Sequence, residues 1–364
     1  MSNNSLLSFF GRIDLLILIP ALFLVLISLS TLLSISPAYF RQQIVALVLG
    51  LVGFLIFTRI DLSLLSYLSK FLYGGMLFLL VLVLLFGVTV NAAKSWFDIF
   101  GMSIQASEII KPFFLIVLAT FLTQKIGKRI YRFLGALLIT FPVFFLIYQQ
   151  PDLGTGIVYI AASLMVIFLA GFPLRYILLT VVGTSIIIPI LFFFLQDYQK
   201  QRILTFFDVT SDPTGASYNA IQSLISIGSG GFFGKGFGQG TQSLLRFLPE
   251  QQTDFIFATI SEDLGFIGSF IVLCLFGILL YRIYKVAIST ESAYQYLVCM
   301  GVFAIFFFQI LFNVGMNLGL MPIIGITLPF VSLGGSSLLA SFIALGMISG
   351  ISKDNKKHQS MEIA

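Results

Sequence analysis

Ten apolar runs, each near the roughly 20 residues a helix needs to cross the hydrocarbon of a bilayer, leave this chain little choice of architecture. They lie near residues 13–35, 42–57, 70–90, 107–124, 130–148, 155–171, 174–195, 257–281, 293–314 and 334–351. A backbone in lipid must satisfy its own N–H and C=O groups, so runs of this length read as helices. The expected class is an all-α integral membrane protein of about ten transmembrane helices, built as a single polytopic membrane domain over residues 1–364. The second run is short and bounded by Arg41 and Arg59.

Composition points the same way. With 58% hydrophobic and 10% charged residues, there is too little polar surface to enclose a water-soluble core. The first run is too long for a signal-peptide core and lacks a small-residue cleavage site, so it is expected to remain as a helix. Placing the N-terminus inside puts Arg12, Arg59, Lys70, Lys125, Lys128, Arg129, Arg132, Arg175, Arg282, Lys285, Lys353, Lys356 and Lys357 on the inner side, against Arg41, Lys94, Lys200, Arg202, Lys235 and Arg246 on the outer. That sorting follows the retention of positive charge by cytoplasmic loops. Both termini are then cytoplasmic, residues 351–364 form a short tail, and residues 196–254 form a large extracytoplasmic loop between the seventh and eighth helices. The net charge of +5 is explained by this distribution, so no nucleic-acid partner is expected. Cys274 and Cys299 fall within apolar runs and read as packing residues, while the sole histidine, His358, lies in the tail. Histidine-based catalysis and histidine metal sites are thereby excluded.

Ionisable groups at the edges of apolar runs narrow the search, because a charge at mid-membrane costs roughly 2.5–3.5 kcal/mol and is kept for a reason. Glu108 and Lys111 open the fourth run, in Gln105-Ala106-Ser107-Glu108-Ile109-Ile110-Lys111-Pro112. At i and i+3 they share a helical face and can pair; Ser107 is a candidate cap. The pair reads either as a structural ion pair or as a cation placed to hold a phosphate. Asp152, in Gln150-Pro151-Asp152-Leu153-Gly154-Thr155, sits on a short turn where such residues are expected in any case. Asp254 ends Leu248-Pro249-Glu250-Gln251-Gln252-Thr253-Asp254, just before an apolar helix. It is either an N-cap or a carboxylate at a membrane-water boundary. Glu262 and Asp263 follow two turns later as wall carboxylates or local pairs.

Two uncharged or glycine-dense stretches complete the reading. Ile227 to Thr241 carries glycines at a density that lets backbone approach a ligand, although it fits no phosphate-binding pattern and reads equally as tight turns. Gly315 to Gly335 has no charge, yet its Gly and Pro forbid a continuous helix. It is expected to be a re-entrant or interfacial segment lining a cavity. Asp197 to Phe207 mixes apolar positions with Lys200 and Arg202, as an interfacial amphipathic helix would. Trp96, in the segment after the third run, reads as an interface anchor.

These motifs, in this order, resemble the SEDS glycosyltransferases, nearer to the RodA branch than to FtsW. The resemblance spans essentially the whole chain. It rests on Glu108/Lys111, Gln150 to Thr155, Gln222-Ser223, Gly228 to Gly231, Gly240-Thr241-Gln242, Leu248-Pro249-Glu250, Thr253 to Ala258, Asn313 to Pro322 and Leu328 to Ser337. Ala106, Val209 and Leu333 depart from the family pattern, none at a charged position. The resemblance implies a peptidoglycan glycosyltransferase that polymerises lipid II at the outer face of the bacterial cytoplasmic membrane, for elongation and cell shape. It also implies a class B penicillin-binding protein and elongation-complex proteins as partners, in a setting of membrane lipid. Asp254 is implied as the catalytic base, or as the ligand of a divalent cation (Mg or Mn), with no organic cofactor. Substrate contacts are expected from Lys111, Glu108 and Asp152, with Arg202, Lys235 and, on topology alone, Arg41 as further diphosphate contacts. The rival classes are a lipid II flippase or polyprenyl-lipid transporter, a non-catalytic scaffold, and an FtsW-type division polymerase. The absence of matched Gly/Pro-broken helices in the two halves counts against transport.

Overall fold

The computed structural model describes residues 13–90, 93–99, 102–124, 127–183, 197–207, 217–245 and 247–362. It is a helical bundle in which the apolar runs fall on helices, the fourth divided at Ile110 and the seventh described as far as Gly183. Seven of these are long and apolar enough to cross a membrane: α1 (Leu15–Ile35), α2 (Pro37–Phe57), α4 (Ser69–Phe86), α7 (Arg129–Gln149), α13 (Ile256–Ile288), α14 (Ala293–Asn317) and α15 (Gly335–Glu362). Three are shorter: α6 (Lys111–Thr123), α8 (Leu153–Leu169) and α9 (Leu174–Gly183). Short helices α3 (Leu62–Tyr67), α5 (Ala106–Ile109), α10 (Asp197–Phe207), α11 (Tyr218–Gly230) and α12 (Thr241–Leu244) fill the connections.

Three details differ from the sequence expectation. Helix α2 starts five residues before the apolar run, because Pro37 takes its first position and the Ser36 hydroxyl accepts from Ala38 N at 3.3 Å. This places Arg41 and Gln43 inside the helix. The segment after α4 is a small antiparallel sheet, β1 (Val88–Val90), β2 (Ala93–Ile99) and β3 (Met102–Gln105), in the order β1-β2-β3. Trp96 pairs there with Val88 and Gln105, and β3 runs directly into α5. The third difference is a break in α13 at Gly265, whose φ of 65° lies in the left-handed region.

The break at Gly265 is closed by the glycine-rich loop. Lys235 N and Gly236 N donate to Glu262 O and Asp263 O at 3.0 and 2.9 Å, while Phe266 N donates to Gly231 O at 2.9 Å. The loop thus takes over backbone bonds that a continuous helix would make to itself. A Cβ at Gly234 would meet Asp263 O at 2.2 Å. The close approach for which this loop needs glycine is therefore to the protein's own helix.

Candidate active site

The first half of the site begins where β3 meets α5. Pro112 has no N–H to give, so the helix breaks at Ile110 and restarts as α6 with Lys111. Glu108 and Lys111 face each other across that break, both 4% exposed, with Lys111 Nζ donating to Glu108 Oε1. They line a narrow cavity of about 10 Å³ with Gln309 and Ser341. Ser107, expected as a cap, lies inside α5 instead: the position before that helix is Gln105, and no side chain closes it.

Asp152 joins this cluster. It caps α8 by accepting from Thr155 N at 3.1 Å, and its other oxygen accepts from Gln105 Nε2 at 2.8 Å and Ser107 Oγ at 3.5 Å. Burial, with a smaller push from the Glu108 charge, raises its carboxyl above the ordinary aspartate range despite the Thr155 bonds. The turn residue is thus both a cap and a member of the cluster. Tyr159 supports the arrangement from beneath, its hydroxyl donating to Ser107 O at 2.7 Å.

The second half is the loop that carries Asp254. The cap position of α13 is Phe255, with no side-chain cap bond, so Asp254 does not serve as the helix cap. Its backbone carbonyl accepts from Asn313 Nδ2 and from Asn317 Nδ2, each at 3.0 Å. Asn317 Oδ1 also accepts from Ala258 N at 3.1 Å, doing the capping work from a neighbouring helix. Ser332 Oγ donates to Thr253 O at 2.6 Å and Leu333 N to Gln252 O at 2.8 Å. Underneath, Leu248, Phe255 and Ala258 form their own small apolar cluster. The loop is therefore gripped on both sides while Asp254 itself is only partly buried.

The two halves meet on the uncharged segment before α15. Of the stretch Gly315 to Gly335, residues 318–334 form no helix, while Gly315 to Asn317 continue α14 and Gly335 opens α15. Several of their carbonyls are satisfied by side chains: Ile326 O accepts from Asn313 Nδ2 at 2.7 Å, Ser332 O from Gln43 Nε2 at 3.3 Å, and Val331 O from Ser28 Oγ. Near its C-terminal end Ser332 holds the Asp254 loop, and just beyond, in the first turn of α15, Ser336 Oγ accepts from Gln105 N at 2.8 Å. A Cβ at Gly154 would meet Ile324 O at 2.3 Å, so the same segment also packs against the start of α8 beside Asp152. Asp254, Asp152 and the Glu108/Lys111 pair are thus all attached to one stretch of chain.

The remaining candidates lie elsewhere. Lys235 Nζ pairs with the buried Glu262 at 3.0 Å and donates to Thr241 Oγ1 at 3.1 Å. Glu262 in turn accepts from Gln242 N and Ser243 N, a local tie between the loop and α13. Arg202 is on α10, and its side chain lies outside the described residues. Arg41 is exposed near the start of α2, its Nε donating to Pro37 O at 3.4 Å. Sequence reasoning assigned no role to Gln105, Asn313, Asn317 or Ser332, which position the site. The available signal was Gln309, Asn313 and Asn317 at four-residue spacing, a polar stripe on one face of an apolar helix.

Comparison with known proteins gives this arrangement a lineage. Residues 7–357 match the sequence model of the FtsW/RodA/SpoVE family, described as cell cycle protein. Peptidoglycan glycosyltransferase MrdB of Escherichia coli (strain K12) is 38% identical over 318 residues, covering 87% of this chain and 86% of that one. A chain of a peptidoglycan synthase complex, solved to show how polymerization and crosslinking are coordinated, superimposes with a TM-score of 0.84 at 30% identity, covering 94% and 98%. Rod shape determining protein RodA of Thermus thermophilus superimposes with a TM-score of 0.72 at 29% identity, covering 94% and 97%. The chain therefore belongs to the FtsW/RodA/SpoVE family of membrane-embedded cell cycle proteins.

Proposed function

We propose that this chain is a peptidoglycan glycosyltransferase that polymerises lipid II in the manner of the RodA branch, with Asp254 as its catalytic carboxylate. The observation that carries this reading is the attachment of the Asp254 loop and the Glu108/Lys111/Asp152 cluster to the same uncharged segment. Elongation joins the GlcNAc O4 of one lipid II to the MurNAc C1 of the growing strand. A new C1–O4 bond forms with inversion, the C1–O bond to the lipid diphosphate breaks, and the O4 proton leaves. Asp254, partly exposed at the start of α13, would take that proton. Lys111, paired with Glu108 in a buried setting, would offset the charge growing on the departing diphosphate. Gln105 and Asp152 would fix the position of that cation. Arg202 and Lys235 are carried by the same long loop and would add positive charge, Lys235 only after leaving Glu262.

Among the described residues no three potential metal ligands gather. Asp254 is the residue that would hold a divalent cation such as Mg²⁺. When bound, it would neutralise diphosphate charge. The direction of the chain in the membrane follows the Lys and Arg distribution, with both termini cytoplasmic and Asp254 on the outer face. A class B penicillin-binding protein is the expected partner, supported by the solved relative that belongs to a polymerising and crosslinking complex.

The test is to incubate purified protein, with and without that partner, with labelled lipid II and to resolve the glycan ladders. Asp254→Asn is expected to cut ladder formation by about 100-fold or more, the loss typical of removing a positioned base. Ladders that persist in the variant would remove Asp254 from the chemistry. Lipid scrambling in vesicles with no ladders under any condition would replace polymerisation by transport.

A further inference from the structure

The turn that carries Asp254 is built on a strained residue. Glu250 has a φ of 53°, in the left-handed region, which is unfavourable for a residue with a side chain and neutral for glycine. Such a conformation persists only where its surroundings over-determine it. Leu248 before the turn and Phe255 after it pack in the same small apolar cluster, which brings the two ends together. Three successive amides, Thr253 N, Asp254 N and Phe255 N, then converge on Glu250 O at 3.1, 3.1 and 3.3 Å. From outside, Leu333 N and Ser332 Oγ hold Gln252 O and Thr253 O. The segment that grips the turn bends at a second left-handed residue, Phe330, with a φ of 65°. Its ring is fixed edge-on against Phe306 and Phe342, at centroid distances of 5.4 and 5.5 Å.

If backbone conformation were all that position 250 required, glycine would supply it. What glycine lacks is the carboxylate. Glu250 Oε2 accepts from Thr253 Oγ1 at 3.0 Å and from Gln252 Nε2 at 3.4 Å, and the Thr253 hydroxyl also reaches Glu250 O at 3.2 Å. The side chain therefore folds back along its own turn and ties down the residue immediately before Asp254. Asp254 is then fixed from both sides: its amide donates to Glu250 O, and its carbonyl accepts from Asn313 and Asn317. Each peptide group is planar, so holding the two that flank Asp254 sets the direction of its Cα–Cβ bond.

We propose that Glu250 is a positioning residue of the glycosyltransferase: its carboxylate, acting through Thr253, aims the carboxylate of Asp254 and transfers no proton itself. This rests on the reading of Asp254 as the catalytic carboxylate. It gives a left-handed glutamate a task that a glycine at the same place could not perform.

The test measures glycan polymerisation by the full chain over a range of labelled lipid II concentrations, with melting temperatures in parallel, for the wild type, Glu250→Gly, Glu250→Gln, Thr253→Val and Asp254→Asn. Glu250→Gly keeps the turn and removes the tie. Its rate at saturating lipid II is expected to fall about tenfold or more, with the half-saturating concentration within about twofold and the melting temperature within about 3 °C of the wild type. Glu250→Gln, whose amide oxygen still accepts from Thr253, is expected to stay within about threefold of the wild-type rate. Thr253→Val cuts the same tie from its other end, so adding it to Glu250→Gly should deepen the loss by less than about twofold. If Glu250→Gly does not fold, Thr253→Val alone provides the comparison. A wild-type rate in Glu250→Gly, single losses that multiply in the double variant, or a loss that tracks a fall in melting temperature would each overturn the proposal. A loss in Glu250→Gln as deep as that in Asp254→Asn would overturn it too, by making Glu250 a catalytic carboxylate. Ladders that persist in Asp254→Asn would remove the underlying reading and this proposal with it, whereas an inactive Asp254→Asn beside a fully active Glu250→Gly would defeat the proposal alone.

Discussion

Asn317 illustrates how much of this site depends on uncharged side chains. Its amide nitrogen donates to Asp254 O, its amide oxygen accepts from Ala258 N, and its own carbonyl accepts from Ser223 Oγ at 2.9 Å. Removing the amide leaves buried backbone groups unpaired, a penalty of about 1–3 kcal/mol. Asn317→Ala is therefore expected to lower the melting temperature measurably. Because the lost bonds border Asp254, ladder formation by the still-folded enzyme should fall by about tenfold or more. Paired melting and single-concentration ladder assays separate the two effects. Asp254, Glu108, Lys111 and Asp152 were legible in the sequence because charge is rare and costly in an apolar chain. Asn313 and Asn317 were visible as a spacing and as part of a family motif, with no role attached. Which backbone they hold is decided by a loop more than fifty residues away, and no local rule reaches that far.

Among the elements, α13 and the glycine-rich loop form one unit. The sequence announced the glycines but left open whether they served a ligand or a turn. They serve a third purpose, admitting one backbone into the gap of another at Gly265. Substituting Gly234 with Ala sets a Cβ 2.2 Å from Asp263 O at a φ of +81°. Both faults would detach the loop, at a cost of about 3 kcal/mol or more. The expected result for Gly234→Ala is a lower melting temperature and faster proteolysis within residues 231–240. An unchanged digestion pattern would contradict the splice. The small sheet after α4 went unread for a related reason. Its strands are short, and they make sense only as a platform that delivers Gln105 to Asp152.

At the scale of the whole molecule, the apolar runs predicted the bundle because lipid leaves few alternatives to helices. The break in α13 and the fastening of its far end were not legible. There Arg282 pairs with the buried Asp14, Ser352 Oγ donates to the same carboxylate, and Asp14 N donates to Ser349 Oγ at 2.9 Å. Burial alone would raise the Asp14 carboxyl, but the Arg282 and Ser352 bonds outweigh it and hold it below its ordinary value of 3.8. A depressed folded-state pKa contributes stability that is present above the unfolded value and lost as pH falls through the folded one. Asp14→Asn is expected to cost about 1–2 kcal/mol at neutral pH. Its deficit relative to the wild type should shrink as acid titration proceeds below pH 3.8. Melting curves of the two proteins across that range check both the sign and the window.

That fastening also constrains how the protein can open. Helices α1, α13 and α15 are pinned together through Asp14, Arg282, Ser349 and Ser352, whereas toward the other membrane face the bonds are those of Ser28 in α1, of Thr253 just before α13 and of Ser336 in α15. They behave like the legs of a tripod, joined by an ion pair at the head and by uncharged hydrogen bonds at the feet. A bulky glycan lipid can widen the one mouth without parting the other, a geometry that suits building a polymer on one side of a membrane and resists passing cargo across it.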